Sequence, residues 1–431
     1  MKPHHLFKYI ALLLIGASIE IGVFSSCQGK SGQLSADESK ELGTIRDSLF
    51  NTVLSHHPDS AIWLIDSLET AGLSESLSNY YRSVAYHAMG QELMNEFYLA
   101  QALKSGALQA ERPDLFYYGC SVLFTLRIYH NDIDGALDIS TNGYELARDD
   151  KSEIGIQWAP ALLSDVAYSQ MMKGMAEEAE KNFSLAYMAL RQRAAGTNDY
   201  KDLATWTNVS YNILDAYTTT ERYDKAKAWF GLAQEAIDQL SASPKCPANI
   251  ALQYRRGTRL HEAILLEANG QKNESYEAFR EVVQMGHTES YVGLLDCMAF
   301  LSKTNRWKEL ADLMPKVDSL AQKWNIPLSL LFLKDYLVPQ YNAYSKAGRL
   351  DEAKAVADRV FASVDSIEIY EQKTKMKELT VLSDAEVAEK EAVLVAKQET
   401  HFWKTVSVIL AVLTAALIVA FIIYYIRIRR R

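Results

Sequence analysis

Small and apolar residues recur through the middle of the chain at spacings that suit pairs of packed helices. The clearest unit runs from Pro160 to Arg193. A first helix carries Leu163, Ala167 and Gln170, Gly174 breaks it, and a second helix carries Ala179, Phe183 and Ala186. The chemistry explains the order. Small residues let two helices approach, an aromatic four residues on fills the gap to the next hairpin, and a further small residue three beyond keeps the face flat. The pattern returns at Tyr223, Ala226, Phe230 and Ala233, at Gly270, Ser275, Phe279 and Val282, and at Gly348, Leu350, Ala353 and Ala357. Weaker copies are Gly90, Asn95, Leu99 and Ala102, then Ile133, Ala136 and Ser140, then Trp307, Leu310 and Met314. Most breaks lie about 40 residues apart or more, so the pattern predicts a series of long helical hairpins.

The two ends read differently. Val406 to Ile426 holds no charge, and Arg427, Arg429, Arg430 and Arg431 follow at once. At 1.5 Å per residue this helix is roughly 30 Å long, enough to cross a bilayer. Phe402 and Trp403 flank one end and Tyr424 and Tyr425 the other, where aromatic belts sit. The arginines place the C-terminus in the cytoplasm and nearly everything before residue 403 on the far side. At the N-terminus, Lys2 and Lys8 bracket a basic region, Tyr9 to Ile19 is apolar, and Ser25, Ser26 and Cys27 follow. This is the layout of a secretory signal. Three outcomes fit it: lipidation at Cys27, ordinary cleavage near Ser18 or Ser26, or an uncleaved signal anchor, which Glu20 disfavours.

Composition narrows the class further. Only 9 prolines and 20 glycines in 431 residues favour helix. Of 45 basic residues, setting aside Lys2, Lys8 and the four terminal arginines leaves 39; of 54 acidic ones, setting aside Glu20 leaves 53. The exported part thus carries a charge of −14, more negative than the −9 of the whole chain, which disfavours nucleic acid as a partner. Cys120, Cys246 and Cys297 are an odd number without metal spacing, and Cys120 and Cys297 fall on apolar helix faces as small core residues.

The repeated unit resembles the tetratricopeptide repeat, whose period is about 34 residues. That resemblance implies an all-α, right-handed helical-repeat solenoid. The phrase HPDSAIWLIDSL at 57–68 is similar to the opening of the repeat region in a family of periplasmic membrane sensors and regulators of Gram-negative bacteria. Those proteins carry a signal peptide, tetratricopeptide-like repeats, a connecting helix, one span and a cytoplasmic output domain. Residues 366–402, rich in Glu, Lys and Ala and free of Gly and Pro, look like that connector. The expected organisation is therefore signal 1–27, repeats 45–365, connector 366–402, transmembrane helix 403–426 and basic tail 427–431. No phosphoacceptor histidine box, glycine-rich ATP lid or DNA-reading helix appears, so the resemblance extends to the sensing and membrane-coupling half alone.

Catalytic patterns are missing from the sequence. His56-His57 cannot share a helix face, and His261-Glu262 lacks a second histidine four residues on. No phosphate loop or nucleophile elbow is found, and no cofactor or metal is implied. A binding role suits the repeats better, because the first helices of stacked hairpins line a shared groove. The projected register places Tyr168 and Met171, then Asn208, Tyr211 and Asp215, then Leu260, Ile264 and Glu267 along it. Such a groove fits a peptide or protein segment. In the span, Ser407, Ala411 and Ala415 share one face at four-residue spacing, which suits a homodimer packed through that helix. The expectation is a membrane-anchored, non-enzymatic binding or sensory module. Its rivals are a structural scaffold or assembly factor of the envelope, and an enzyme whose site the sequence hides.

Overall fold

The computed structural model describes residues 36–369, apart from 90, 105, 198, 324–328, 330 and 331, together with scattered positions up to 383. The described residues are helical and contain no strand. Helices α1 (Ala36–His56), α2 (Pro58–Thr70), α3 (Glu75–Ala88) and α4 (Glu92–Lys104) lead to a short α5 (Ala107–Glu111). Then come α6 (Pro113–Tyr129), α7 (Ile133–Asp149), α8 (Glu153–Met172), α9 (Ala176–Thr197), α10 (Tyr200–Thr219), α11 (Tyr223–Ala242), α12 (Ala248–Ala268) and α13 (Lys272–Gln284). A 3-10 turn, His287–Glu289, precedes α14 (Tyr291–Lys303) and α15 (Trp307–Lys323). A π-turn, Leu333–Leu337, runs into α16 (Val338–Lys346), and residues 350–369 form α17.

One turn is used again and again. Between α6 and α7, α8 and α9, α10 and α11, α12 and α13, α14 and α15, and α16 and α17, a single residue takes positive φ: Asn131, Gly174, Glu221, Gly270, Asn305 and Gly348. The following N–H then donates to the carbonyl five residues back: Asp132 to Arg127, Met175 to Gln170, Arg222 to Tyr217, Gln271 to Leu266, Arg306 to Leu301 and Arg349 to Tyr344, all at 2.8–3.0 Å. This left-handed closure satisfies carbonyls that a helix end leaves open. Gln91 makes the same bond to Tyr86 between α3 and α4. The six positive-φ positions lie 35–49 residues apart, which makes the hairpins a series of equivalent units. Side-chain caps start several helices: Ser74, Asp132, Ser152, Asp199 and Ser290 accept backbone N–H groups of the first turn.

Five residues past each of these turns sits the crossing residue of the second helix. Ala136, Ala179, Ala226 and Ser275 are fully buried there, and Asn95, Leu310 and Ala353 nearly so. Ser275 ties its crossing by donating to Ala263 O at 2.8 Å. The next positions, Leu99, Ser140, Phe183, Phe279 and Met314, are buried as well. In α11 the apolar filler is Trp229, and Phe230 is only half-buried. The unit expected to open at Pro160 opens at Glu153 instead, because the Ser152 hydroxyl caps the helix and Pro160 sits inside it.

Beyond marginal touches, described helices pack on the next element in sequence or the next but one. The core accordingly falls into three clusters in series, around Tyr117 and Phe116, around Trp206 and Phe183, and around Phe279 and Tyr336. Cys120 and Cys297 are buried free thiols within it. The compact unit holding these helices ends at Glu368, so α17 runs unbroken through the boundary expected at 365/366. Among the described residues no helix is long and apolar enough to cross a membrane. The signal segment with Cys27, most of the connector, and the span with Ser407, Ala411 and Ala415 lie outside the described residues.

Candidate functional site

The first helices α6, α8, α10 and α12 pack flank to flank, each on the next. Residues on their shared face therefore form one strip. From α6 and α8 come Phe124 and Tyr168, whose rings meet edge-on at 6.0 Å. From α10 come Asn208, Tyr211 and Asp215, and from α12 Tyr254 and His261. The Tyr211 ring stands edge-on to Tyr254 at 5.9 Å and to His261 at 5.2 Å. Tyr254 OH donates to Asn208 Oδ1 at 3.2 Å. His261 Nε2 lies 3.7 Å from Asp215 Oδ1. Farther along, His287 Nε2 and Asp296 Oδ2 are 3.3 Å apart.

Gly257 makes the centre of this strip. A Cβ placed there would lie 2.5 Å from the Tyr211 hydroxyl oxygen. A glycine inside a helix costs roughly 1 kcal/mol relative to alanine. Here it lets the phenol of one hairpin rest on the backbone of the next. Tyr211 is thus held against α12 and is half-buried, rather than standing clear of the neighbouring hairpin.

The electrostatics are one-sided. The Asp215 side chain is 42 % exposed, yet it is ringed by protein, and that burial together with the charge of Asp296 pushes its carboxyl up to about 6. Burial pushes His261 down to about 4, so it is neutral at pH 7 and cannot neutralise the carboxylate. Burial, and then the charge of Asp215, raises the phenols of Tyr211 and Tyr168, the latter to about 12. One turn before Tyr168, Asp165 is buried and pushed up to about 7, although Ser121 Oγ donates to it at 2.8 Å. Among the described residues, Asp215 has no Lys or Arg ion-pair partner. Carboxylates beside aromatic rings are suited to receive a cation.

Of the eight residues projected from the sequence, four lie together on the strip and four do not. Tyr168, Asn208, Tyr211 and Asp215 come together on the strip, and half-buried Ile264 packs on the C-terminal core cluster. Met171 and Leu260 are core residues, 3 % and 6 % exposed, because each points into the seam between hairpins rather than along the shared face. Glu267 accepts from Arg306 at 3.2 Å and braces the turn between hairpins. On α12 the face that meets Tyr211 is Tyr254, Gly257 and His261, one residue out of phase with Leu260. Their spacing of three and four is a helix-face signal, which the projection from the repeat register passed over.

No protein-family model matches the chain, and no curated protein sequence matches it. Among the described residues no group of three or more His, Cys, Asp or Glu is placed to hold a metal ion.

Proposed function

We infer that the chain is a membrane-anchored, exported module of tetratricopeptide type that binds an extended protein segment along the first-helix strip. The segment carries a lysine or arginine that meets Asp215. The anchor and export rest on the apolar run 406–426 with its arginines and on the signal-like start. The repeated left-handed turns and the small crossing residues support the repeat type. One observation carries the binding role: a half-exposed carboxylate, held among Tyr211 and His261 and raised toward neutrality, has no cation of its own. A guanidinium or ammonium placed there would pair with the carboxylate, favour its ionised form and lie against aromatic faces.

The experiment is a peptide array of extended sequences varied in charge, probed with full-length protein in detergent. Wild type should retain peptides containing Lys or Arg, and less so at high salt. Asp215→Asn should lose about ten-fold in affinity for them, in line with one charge-assisted contact. Equal retention of acidic, neutral and basic peptides by both proteins would overturn the reading.

A further inference from the structure

The row of first helices is interrupted near its start. Where α6, α8, α10 and α12 lie flank to flank, α3 and α6 do not, because the extra helix α5 is inserted between the hairpins. The chain enters α5 through Gly106 at a φ of 67°, a sharp local turn that breaks the hairpin rhythm. The interruption leaves a cavity of about 480 Å³ between α1, α3, α4 and α6. Its wall is largely apolar and aromatic, with Phe50, Tyr80, Val84, Tyr118, Val122 and Leu126. Cavities of this size and lining are those that hold small organic ligands.

Polar groups on the lining are Asp47, Asn51, Ser83, His87, Asn95, Thr125 and the tyrosine hydroxyls, and two of them bear most on what could enter. Asp47, at one side, is already satisfied: Tyr81 OH donates to it, and Arg112 pairs with it at 2.9 Å. It therefore offers no free charge to a ligand. Asn95 is different. It occupies the crossing position that is alanine at 136, 179 and 226, it is 2 % exposed, and it lines the cavity. Among the described residues no group hydrogen-bonds its side-chain amide. An amide on the wall of an open cavity has an acceptor and two donors to offer to whatever enters.

We propose that this cavity binds a small uncharged molecule with an apolar body of aromatic size and a single hydroxyl, carbonyl or amide group, which Asn95 holds. The body fills the space that α5 opens, and the polar group completes the amide. Because Asp47 is closed by Arg112 and no other carboxylate, lysine or arginine lines the cavity, a strongly charged ligand gains no free Asp, Glu, Lys or Arg there. This site is independent of the peptide strip.

The test uses full-length protein in detergent and two probes followed by fluorine NMR, para-trifluoromethylbenzyl alcohol and para-trifluoromethyltoluene. Wild type should bind one alcohol per chain saturably. Val84→Trp, which fills the cavity, should abolish that binding. Thr125→Trp, at the exposed rim, should do the same with less risk to folding. Asn95→Leu should weaken the alcohol about ten-fold and change the toluene by less than about two-fold, since only the hydrogen bond is removed. Three results would each overturn the proposal. The first is no saturable binding to wild type. The second is unchanged binding by either tryptophan variant with its helical circular dichroism intact. The third is an equal loss of both probes in Asn95→Leu.

Discussion

Around α8, α10 and α12 the first helices close on one another: Ser121 donates to Asp165 and Tyr254 to Asn208, while Ser169 Oγ, Thr258 Oγ1 and His261 Nδ1 are shut in without a hydrogen bond from a described residue. Around α3 and α6 the row parts, and the buried Asn95 faces a cavity instead. The hairpins themselves are built alike in both regions, with the same turn and the same buried crossing position. The second helices thus set the register, while the spacing of the first helices sets the surface. Five residues of α5 are enough to turn a closed strip into a pocket.

The sharpest way to break this contrast is through the closed seam. Burial has raised Asp165 to about 7, so the folded state keeps a proton that the unfolded state has lost. The associated stability is full below about pH 4 and disappears as pH rises to about 7. Asp165→Asn should remove that slope, on the order of 4 kcal/mol, and make the protein more stable at pH 7.5 than wild type. Denaturant titrations at pH 4, 5.5 and 7.5 measure it, and parallel pH profiles for the two proteins would refute it.

Next is a matched pair at the crossing position. Ala179→Leu and Ala226→Leu should each overpack a closed crossing and cost roughly 1–3 kcal/mol. Asn95→Leu, at the equivalent place beside the cavity, should cost less than about 1 kcal/mol, because the side chains are close in size and the cavity leaves room for the methyls. Equal melting shifts for the three variants would show that the open and closed regions do not differ. A smaller effect belongs to the turns. Glu221 holds a positive φ of 58° without being glycine, which strains an L-residue by about 1 kcal/mol. Glu221→Gly should recover about that much, since its ion pair with Lys303 is exposed and worth little. Smallest in stability, but not in function, is Gly257→Ala. Gained helix propensity and a displaced Tyr211 should leave stability within about 0.5 kcal/mol of wild type. Retention of basic peptides should nonetheless fall, and unchanged retention would remove Gly257 and Tyr211 from the strip.

The crossing residues were readable in sequence because small side chains at a fixed interval after a break have few other uses. Gly174, Gly270 and Gly348 announced their turns for the same reason. Asn131 and Asn305 gave a weaker signal, since asparagine tolerates the left-handed backbone but is common elsewhere, and Glu221 gave none, its turn being held by the Arg222 N–H donating to Tyr217 O. The strip was legible on α10, where Asn208, Tyr211 and Asp215 keep ideal helical phase. It was lost on α12, where the projected face fell one residue short and took Leu260 in place of His261. The cavity left no mark, because α5 is too short to show a period and Asn95 looks like one more weak copy of an alanine.

The single residue of positive φ between paired helices has a mechanical consequence. A hairpin that leans on its immediate neighbours can be peeled away without undoing distant ones. Drawn out by its ends, this stack would lengthen in jumps, one hairpin at a time. Each jump would release about 40 residues, or about 140 Å of extended chain before the length of the folded hairpin is subtracted. Such a stack gives way by steps under load, as a safety belt with tear stitching does, and closes again from any hairpin still standing.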